Sequence, residues 1–224
     1  MKYVEFVGLA CSGKTALSIR VIDVLRAAGV PVVGGGAVSN VRLLLALLRV
    51  PQYAFRWWRV ICRHIGNHRV RLRLLRQFCT PMAEVLHWSS RSVVLVLDEG
   101  ILQGVRSLRR ASQTDLTLES ILSTQSPEHF FPVVPSTVVL LEIDALTWAQ
   151  RVRARDQIVV TEAEADDAVA RVAHSVRDAE TLARRSPATR FDRRRNEDDD
   201  DLGGLAEIVA RAIGAEWTAA LFHA

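Results

Sequence analysis

The residues best equipped for chemistry stand near the start of this 224-residue chain. Gly8-Leu9-Ala10-Cys11-Ser12-Gly13-Lys14-Thr15 matches the pattern G-x-x-x-x-G-K-[S/T] in full. Glycines at the two ends of the run let the backbone curl, so that successive N–H groups point into one concavity and hold anionic phosphates. Lys14 is expected to reach the β- and γ-phosphates, and the Thr15 hydroxyl to ligate Mg²⁺. The phosphate-binding set expected from the motif is Gly8, Ala10, Cys11, Ser12, Gly13, Lys14, Thr15 and Ala16. Cys11 invites a redox reading, but a small side chain tolerated in the loop is the simpler account.

A second set of chemical residues follows a run of apolar ones. Residues 92–97 (SVVLVL) fit a central parallel strand covered on both faces, and they end in Asp98-Glu99-Gly100. An acid at that place stands beside the metal or the attacking group, so Asp98 is expected to hold Mg²⁺ or take a proton. Glu99 is expected to polarise a nucleophile; the bland alternative for Asp98 is that it ends the strand and caps the next segment. Further on, Arg151, Arg153 and Arg155 sit within one helical stretch. Arg151 and Arg155 are four apart and share a face, whereas Arg153 points elsewhere. They could close over phosphates and neutralise charge at transfer, or simply suit the negative end of a helix.

The elements that must position these groups are legible too. Residues 3–7 (YVEFV) read as a short buried strand with Glu5 its one polar interruption. After the glycine loop, apolar residues at 17, 21, 24, 25 and 28 have helical spacing, closed by Gly29 and Pro31. A strand at 30–33 follows, then three helices at 40–49, 52–65 and 67–79, the last ending before Pro81. A third long apolar strand is expected at 137–143, with Asp144 capping a helix from 145.

This order of strand, phosphate loop, acidic strand end and arginine-bearing helix resembles the P-loop kinases of the thymidylate and nucleoside monophosphate kinase-like group. The resemblance implies a three-layer α/β P-loop NTPase fold with a mostly parallel five-stranded sheet and a helical insertion over the cleft. It implies ATP as donor in the loop, an acceptor facing Asp98, and a lid at 150–160 carrying Arg151, Arg153 and Arg155. One departure is specific. Thymidylate kinases carry Asp-Arg-(Tyr/Ser) after the third strand and deoxynucleoside kinases Glu-Arg-Ser; this chain has Asp98-Glu99-Gly100, without that arginine. No Asn-Lys-x-Asp element appears, which argues against a GTPase.

Between Val24 and Ala83 there is no aspartate or glutamate, yet there are ten arginines, two histidines and two tryptophans. Three accounts fit this block, expected to be a helical acceptor-side subdomain at 37–91. Its cations could draw an anionic acceptor into the cleft. Its leucines, tryptophans and arginines could lie on an anionic membrane, although no run is long enough to span. It could also be a packed insertion whose arginines pair with acids further along. Nucleic acid is not expected, because no recognition motif accompanies the charge.

In the last third, 162–184 reads as one amphipathic helix with His174 as a packed or surface residue, followed by Pro187 and a short strand near 189–191. Residues 193–201 read as a solvated loop of opposed charge blocks, and 202–213 as a final helix closed by Gly214. Composition frames all of this. With 49% hydrophobic and 24% charged residues the chain is globular, and one domain spanning 1–224 is expected. Three scattered cysteines and the lack of an apolar leader point to a reducing, cytoplasmic setting.

The expected activity is transfer of the γ-phosphoryl group of Mg-ATP to a small, anionic acceptor such as a nucleotide or sugar phosphate. The rival is a P-loop ATPase or nucleotide-dependent switch that docks on a membrane or protein partner through its basic helices. A homodimer is left open.

Overall fold

In the computed structural model, residues 1–36, 38–114, 116–122, 135–186, 189–196 and 202–222 are described, with only the backbone course for 216–222. The sheet has five strands: β1 (Lys2–Gly8), β2 (Val32–Gly34), β3 (Val94–Leu97), β4 (Thr137–Glu142) and β5 (Arg190–Arg195). Their order is β2-β3-β1-β4-β5, and every pairing is parallel. The fold is thus the α/β architecture expected, with β1 in the middle and the phosphate loop leaving its C-terminal end. Neighbouring strands lie to either side of β1, and the crevice at such a switch point is where open α/β sheets bind ligands.

Alternation along the central strands divides the core in two. Val4 and Phe6 of β1, Val94 and Val96 of β3, and Val139 and Leu141 of β4 face one way. They meet α1 (Lys14–Ala27) through Leu17, Val21 and Leu25, and the C-terminal helix (Leu202–Phe222) through Leu205, Val209 and Ile213. Tyr3 and Val7, Leu95 and Leu97, and Val138 and Leu140 face the other layer. That layer is built from α2 (Asn40–Arg49), α3 (Pro51–His64), α4 (His68–Trp88), α5 (Ile101–Ser112) and α6 (Leu118–Ile121). It continues with α7 (Ala145–Asp156), α8 (Glu162–Ala170) and α9 (Val172–Arg185), which makes the C-terminal helix α10.

Packing inside the helical layer is anchored by aromatics. Trp57 of α3 is fully buried and stacks on Phe78 of α4 at 3.7 Å between ring centroids and 13° between planes. Tyr53 meets the same tryptophan edge-on, and its hydroxyl donates to the Phe78 carbonyl at 3.0 Å. Such pairs contribute beyond the area they bury.

Four expected boundaries move. The helix expected to end at 79 continues through Pro81 to Trp88, because Phe78, Met82, Ala83 and Val85 prolong its buried stripe. That burial offsets the interior-proline cost of ~3 kcal/mol. The single helix expected over 162–184 is two, broken at Arg171, so that α8 packs on α7 while α9 packs on α5, α6 and the sheet. The final helix does not stop at Gly214 but continues to Phe222. Residues 193–195, read as loop, extend β5 instead. An edge strand tolerates its arginines because they pair locally, Arg193 with Glu142 and Arg194 with Asp192. Pro187 and the acidic run 197–201 lie outside the described residues.

Trp57→Ala is expected to lower unfolding free energy by ~3–5 kcal/mol, because it empties a buried site walled by Tyr53 and Phe78. Urea denaturation of both proteins measures this, and a loss below about 1 kcal/mol would mean that the aromatic stack is not an anchor.

Candidate functional site

The loop from Gly8 to Gly13 turns on two left-handed residues, Cys11 (φ 63°) and Gly13 (φ 91°). Glycine is required at 13 for a second reason: a Cβ there would stand 2.8 Å from Asn196 Nδ2. Lys14 and side chains from distant elements hold the loop's carbonyls. Arg106 of α5 donates to Gly8 O, Lys14 Nζ to Leu9 O at 2.8 Å, and Trp148 Nε1 of α7 to Ala10 O at 2.9 Å. The Ser12 carbonyl accepts from Asn196 Nδ2 at 2.8 Å and from Arg151 at 3.4 Å. A peptide's N–H points opposite to its C=O, so tethering these carbonyls turns the amides of Leu9, Ala10, Cys11 and Gly13 the other way. A curled run of amides of this kind, ahead of a helix N-terminus, suits phosphate.

Thr15 opens α1, and its Oγ1 donates to Asp98 Oδ2 at 2.8 Å. Parallel pairing of β1 with β3 brings these two together, since Glu5 is in register with Leu97 just before the acid. Burial lowers the pKa of Lys14 and the Arg106 guanidinium lowers it further, while Glu99 and Asp98 oppose both. Two hard oxygens at hydrogen-bond distance, one a carboxylate, fit a Mg²⁺ that takes its remaining ligands from phosphate and water. Among the described residues no group of three or more His, Cys, Asp or Glu side chains is placed to hold a metal ion.

Asp98 and Glu99 also border a cavity of about 460 Å³ roofed by α4 and floored by the start of α5. Arg73, Arg76 and Gln77 stand at its exposed side, and Gln103 and the buried Glu84 lie within. Glu84 accepts from Trp88 Nε1 at 3.1 Å, and Gln103 Oε1 is buried without a hydrogen-bond partner among the described residues. Of the ten arginines in the basic block, therefore, the structure brings Arg73 and Arg76 to this cavity. Others are engaged elsewhere, Arg71 on the Ile65 carbonyl and Arg59 over the Phe55 ring.

The three arginines of α7 separate. Arg151 reaches the phosphate loop. Arg153 is exposed, and Arg155 makes a two-pronged pair with Asp156 at 2.7 Å. Burial pushes the Cys11 thiol up, with Arg155 the leading opposing charge, so the redox reading gains no support from a lowered pKa. Ala16 sits in the first turn of α1, exposed.

Sequence reasoning missed Glu5, Arg106, Trp148 and Asn196. The signal for Glu5 was there: one carboxylate inside an apolar strand needs a partner. It is fully buried, accepting from Tyr3 Oη at 2.7 Å and from the Leu102 amide at the start of α5 at 2.7 Å. Gly100 is what allows the approach, since a Cβ there would lie 2.2 Å from the Glu5 carboxyl carbon.

No protein-family model matches this chain, and no curated protein matches it in sequence. Among solved structures it is similar to deoxyadenosine kinase from M. mycoides. With dATP bound, that structure gives a TM-score of 0.49 at 9% identity, over 95% of this chain and 99% of that one. With dCMP and a flexible dCDP bound it gives 0.47 at the same identity and coverage, and with dCTP 0.43 at 10% identity over 94% and 99%. At such identity the chemistry of the site has to be read from this chain's own residues.

Burial raises the Glu5 carboxyl from 4.5 to about 7 against the lowering effect of its hydrogen bonds. Between those values the folded protein keeps a proton that the unfolded chain has released, so stability falls as pH rises through the window. The contribution is present in full below the lower value and amounts to about 3 kcal/mol. Urea midpoints at pH 4.5 and 7.5 should therefore converge in Glu5→Gln relative to the parent. An identical pH slope in both proteins would remove Glu5 as its source.

Proposed function

We propose that this protein is an ATP-dependent phosphotransferase that moves the γ-phosphoryl group of Mg-ATP to a small, anionic acceptor held between α4 and the β3–α5 turn. The observation that carries the reading is the meeting of Thr15 and Asp98, 83 residues apart, at the mouth of a cavity with its own acids and arginines. Hydrolysis of ATP alone needs a water and no second chamber. Transfer needs a chamber that places an acceptor oxygen in line with the γ-phosphorus.

The loop amides and Lys14 position the donor phosphates in this reading, and Thr15 and Asp98 hold the cation. Bound there, Mg²⁺ would supply positive charge to the phosphate oxygens. Asp98 or Glu99 orients the acceptor hydroxyl and receives its proton as the new oxygen–phosphorus bond forms and ADP leaves. Arg151, already against the loop, and Arg155, on the same helix face, neutralise charge at transfer, with Arg153 as a further nucleotide contact. Arg73 and Arg76 attract the anionic part of the acceptor, a nucleotide or sugar phosphate.

One observation favours a second activity, an ATPase or switch that docks on an anionic membrane. The helix α2 turns Val41, Leu44, Leu45 and Leu48 outward, each more than half exposed, beside Arg42 and Arg49. Among the described residues no helix is long and apolar enough to cross a membrane.

ATP turnover with Mg²⁺, alone and with nucleoside monophosphates, sugar phosphates or anionic liposomes, separates the two. Acceptor-dependent ADP release with a phosphorylated product is the expected result. Free phosphate without an acceptor, rising on liposomes, would favour the switch. Lys14→Ala should weaken ATP at least about tenfold with an unchanged melting curve, since Leu9 O keeps the Ser12 amide as donor. Asp98→Asn should slow transfer by about 10²-fold or more.

A further inference from the structure

A second cavity, of about 420 Å³, opens on the other side of the phosphate loop, against Leu9 and Ala10. Its described lining contains four arginines, 106, 109, 110 and 171, and no carboxylate. These cations come from α5 and from the break between α8 and α9, and they crowd. Burial first, then Arg171, Arg110 and Arg109, push the Arg106 guanidinium down to about 10. Like charges gathered around one concavity are costly unless something anionic relieves them.

Two of the four are partly answered. Arg109 is fixed by Asp178 at 2.6 Å and by the Leu116 carbonyl, which makes it a strut between α5 and α9. Arg171 pairs with Asp167 at 3.1 Å, but both side chains are more than half exposed, so that pair binds weakly. Arg106 gives one nitrogen to Gly8 O. His174 lines the cavity as well, but its Nδ1 is closed off from it and has no hydrogen-bond partner among the described residues. Gln113 and Thr114 add neutral hydrogen-bonding groups at the rim.

We propose that this cavity binds a phosphate-type anion, separate from the nucleotide phosphates in the loop, with Arg106, Arg110 and Arg171 as charge partners. The site rests on the phosphotransferase reading only in that the loop is taken to be filled by nucleotide. The anion is either a phosphate carried by an organic molecule or a free inorganic one. Both present the same oxygens to the arginines, and guanidinium groups match them geometrically.

The test uses the full chain with its loop saturated by Mg²⁺ and a non-hydrolysable ATP analogue, titrated calorimetrically with inorganic pyrophosphate. One additional pyrophosphate per chain is expected. It should weaken at least about tenfold in Arg110→Ala/Arg171→Ala, while the ATP analogue binds that variant unchanged. No additional pyrophosphate, or equal affinity in parent and double variant, overturns the proposal. If the ATP analogue itself fails to bind, the nucleotide reading of the loop falls, and the same parent-against-variant titrations without it still decide the cavity. Ribose 5-phosphate binding at least about tenfold more tightly than pyrophosphate assigns the anion to an organic molecule, and the reverse order to a free ion.

Discussion

The arrangement depends most on one carboxylate buried where carboxylates rarely go. Glu5 stands in the middle of the central strand, between Tyr3 and Val7 on the face that meets the helical layer. An unpartnered acid there would be very costly. Its partners are the Tyr3 hydroxyl and the first free amides of α5, so the strand's one polar residue becomes the seat on which that helix begins. With α5 seated this way, the turn before it places Asp98 against Thr15 and leaves Gly100 no room for a side chain. The anchoring of one helix start therefore sets the distance between the phosphate loop and the acidic strand end.

From the same helix comes a consequence for the loop itself. α5 carries Gln103 toward one cavity and Arg106 toward the other, three residues apart and hence on neighbouring faces. Arg106 reaches back from α5 to the Gly8 carbonyl. Asn196, Trp148 and Arg151 hold the loop from the opposite side. The loop is thus clamped by elements on both sides of β1, which keeps its amides turned toward the place phosphate would occupy and reduces the ordering that binding requires.

The helical layer answers to a different constraint, the stacking of Trp57 on Phe78. That contact fixes the rotation of α4, and the rotation decides which of its arginines face the acidic turn. Arg73 and Arg76 do; Arg71 is drawn to the Ile65 carbonyl. The charge block is therefore neither one continuous binding patch nor one solvated face. Its members are sorted by apolar packing, which involves more buried surface than any single arginine contact.

The sequence by itself determined whatever is local in the chain. The phosphate loop, the strands as apolar runs, the order of elements and the acid ending β3 all depend on residues within one short window, where backbone geometry and periodicity are enough. Even the Asp144 cap was legible, and its side chain accepts from Thr147 N at 2.9 Å. Only the tertiary structure decided which distant residues complete the site. Asn196 lies 184 positions from the Ser12 carbonyl that it holds, and nothing near it in the chain marks it apart from other loop asparagines. The same is true of Trp148 and Arg106, whose neighbours are set by how helices rotate on the sheet. Helix ends were misjudged for that reason as well. Pro81 is a stop signal locally, but burial of the flanking apolar face outweighs it, and burial is a property of the packed molecule.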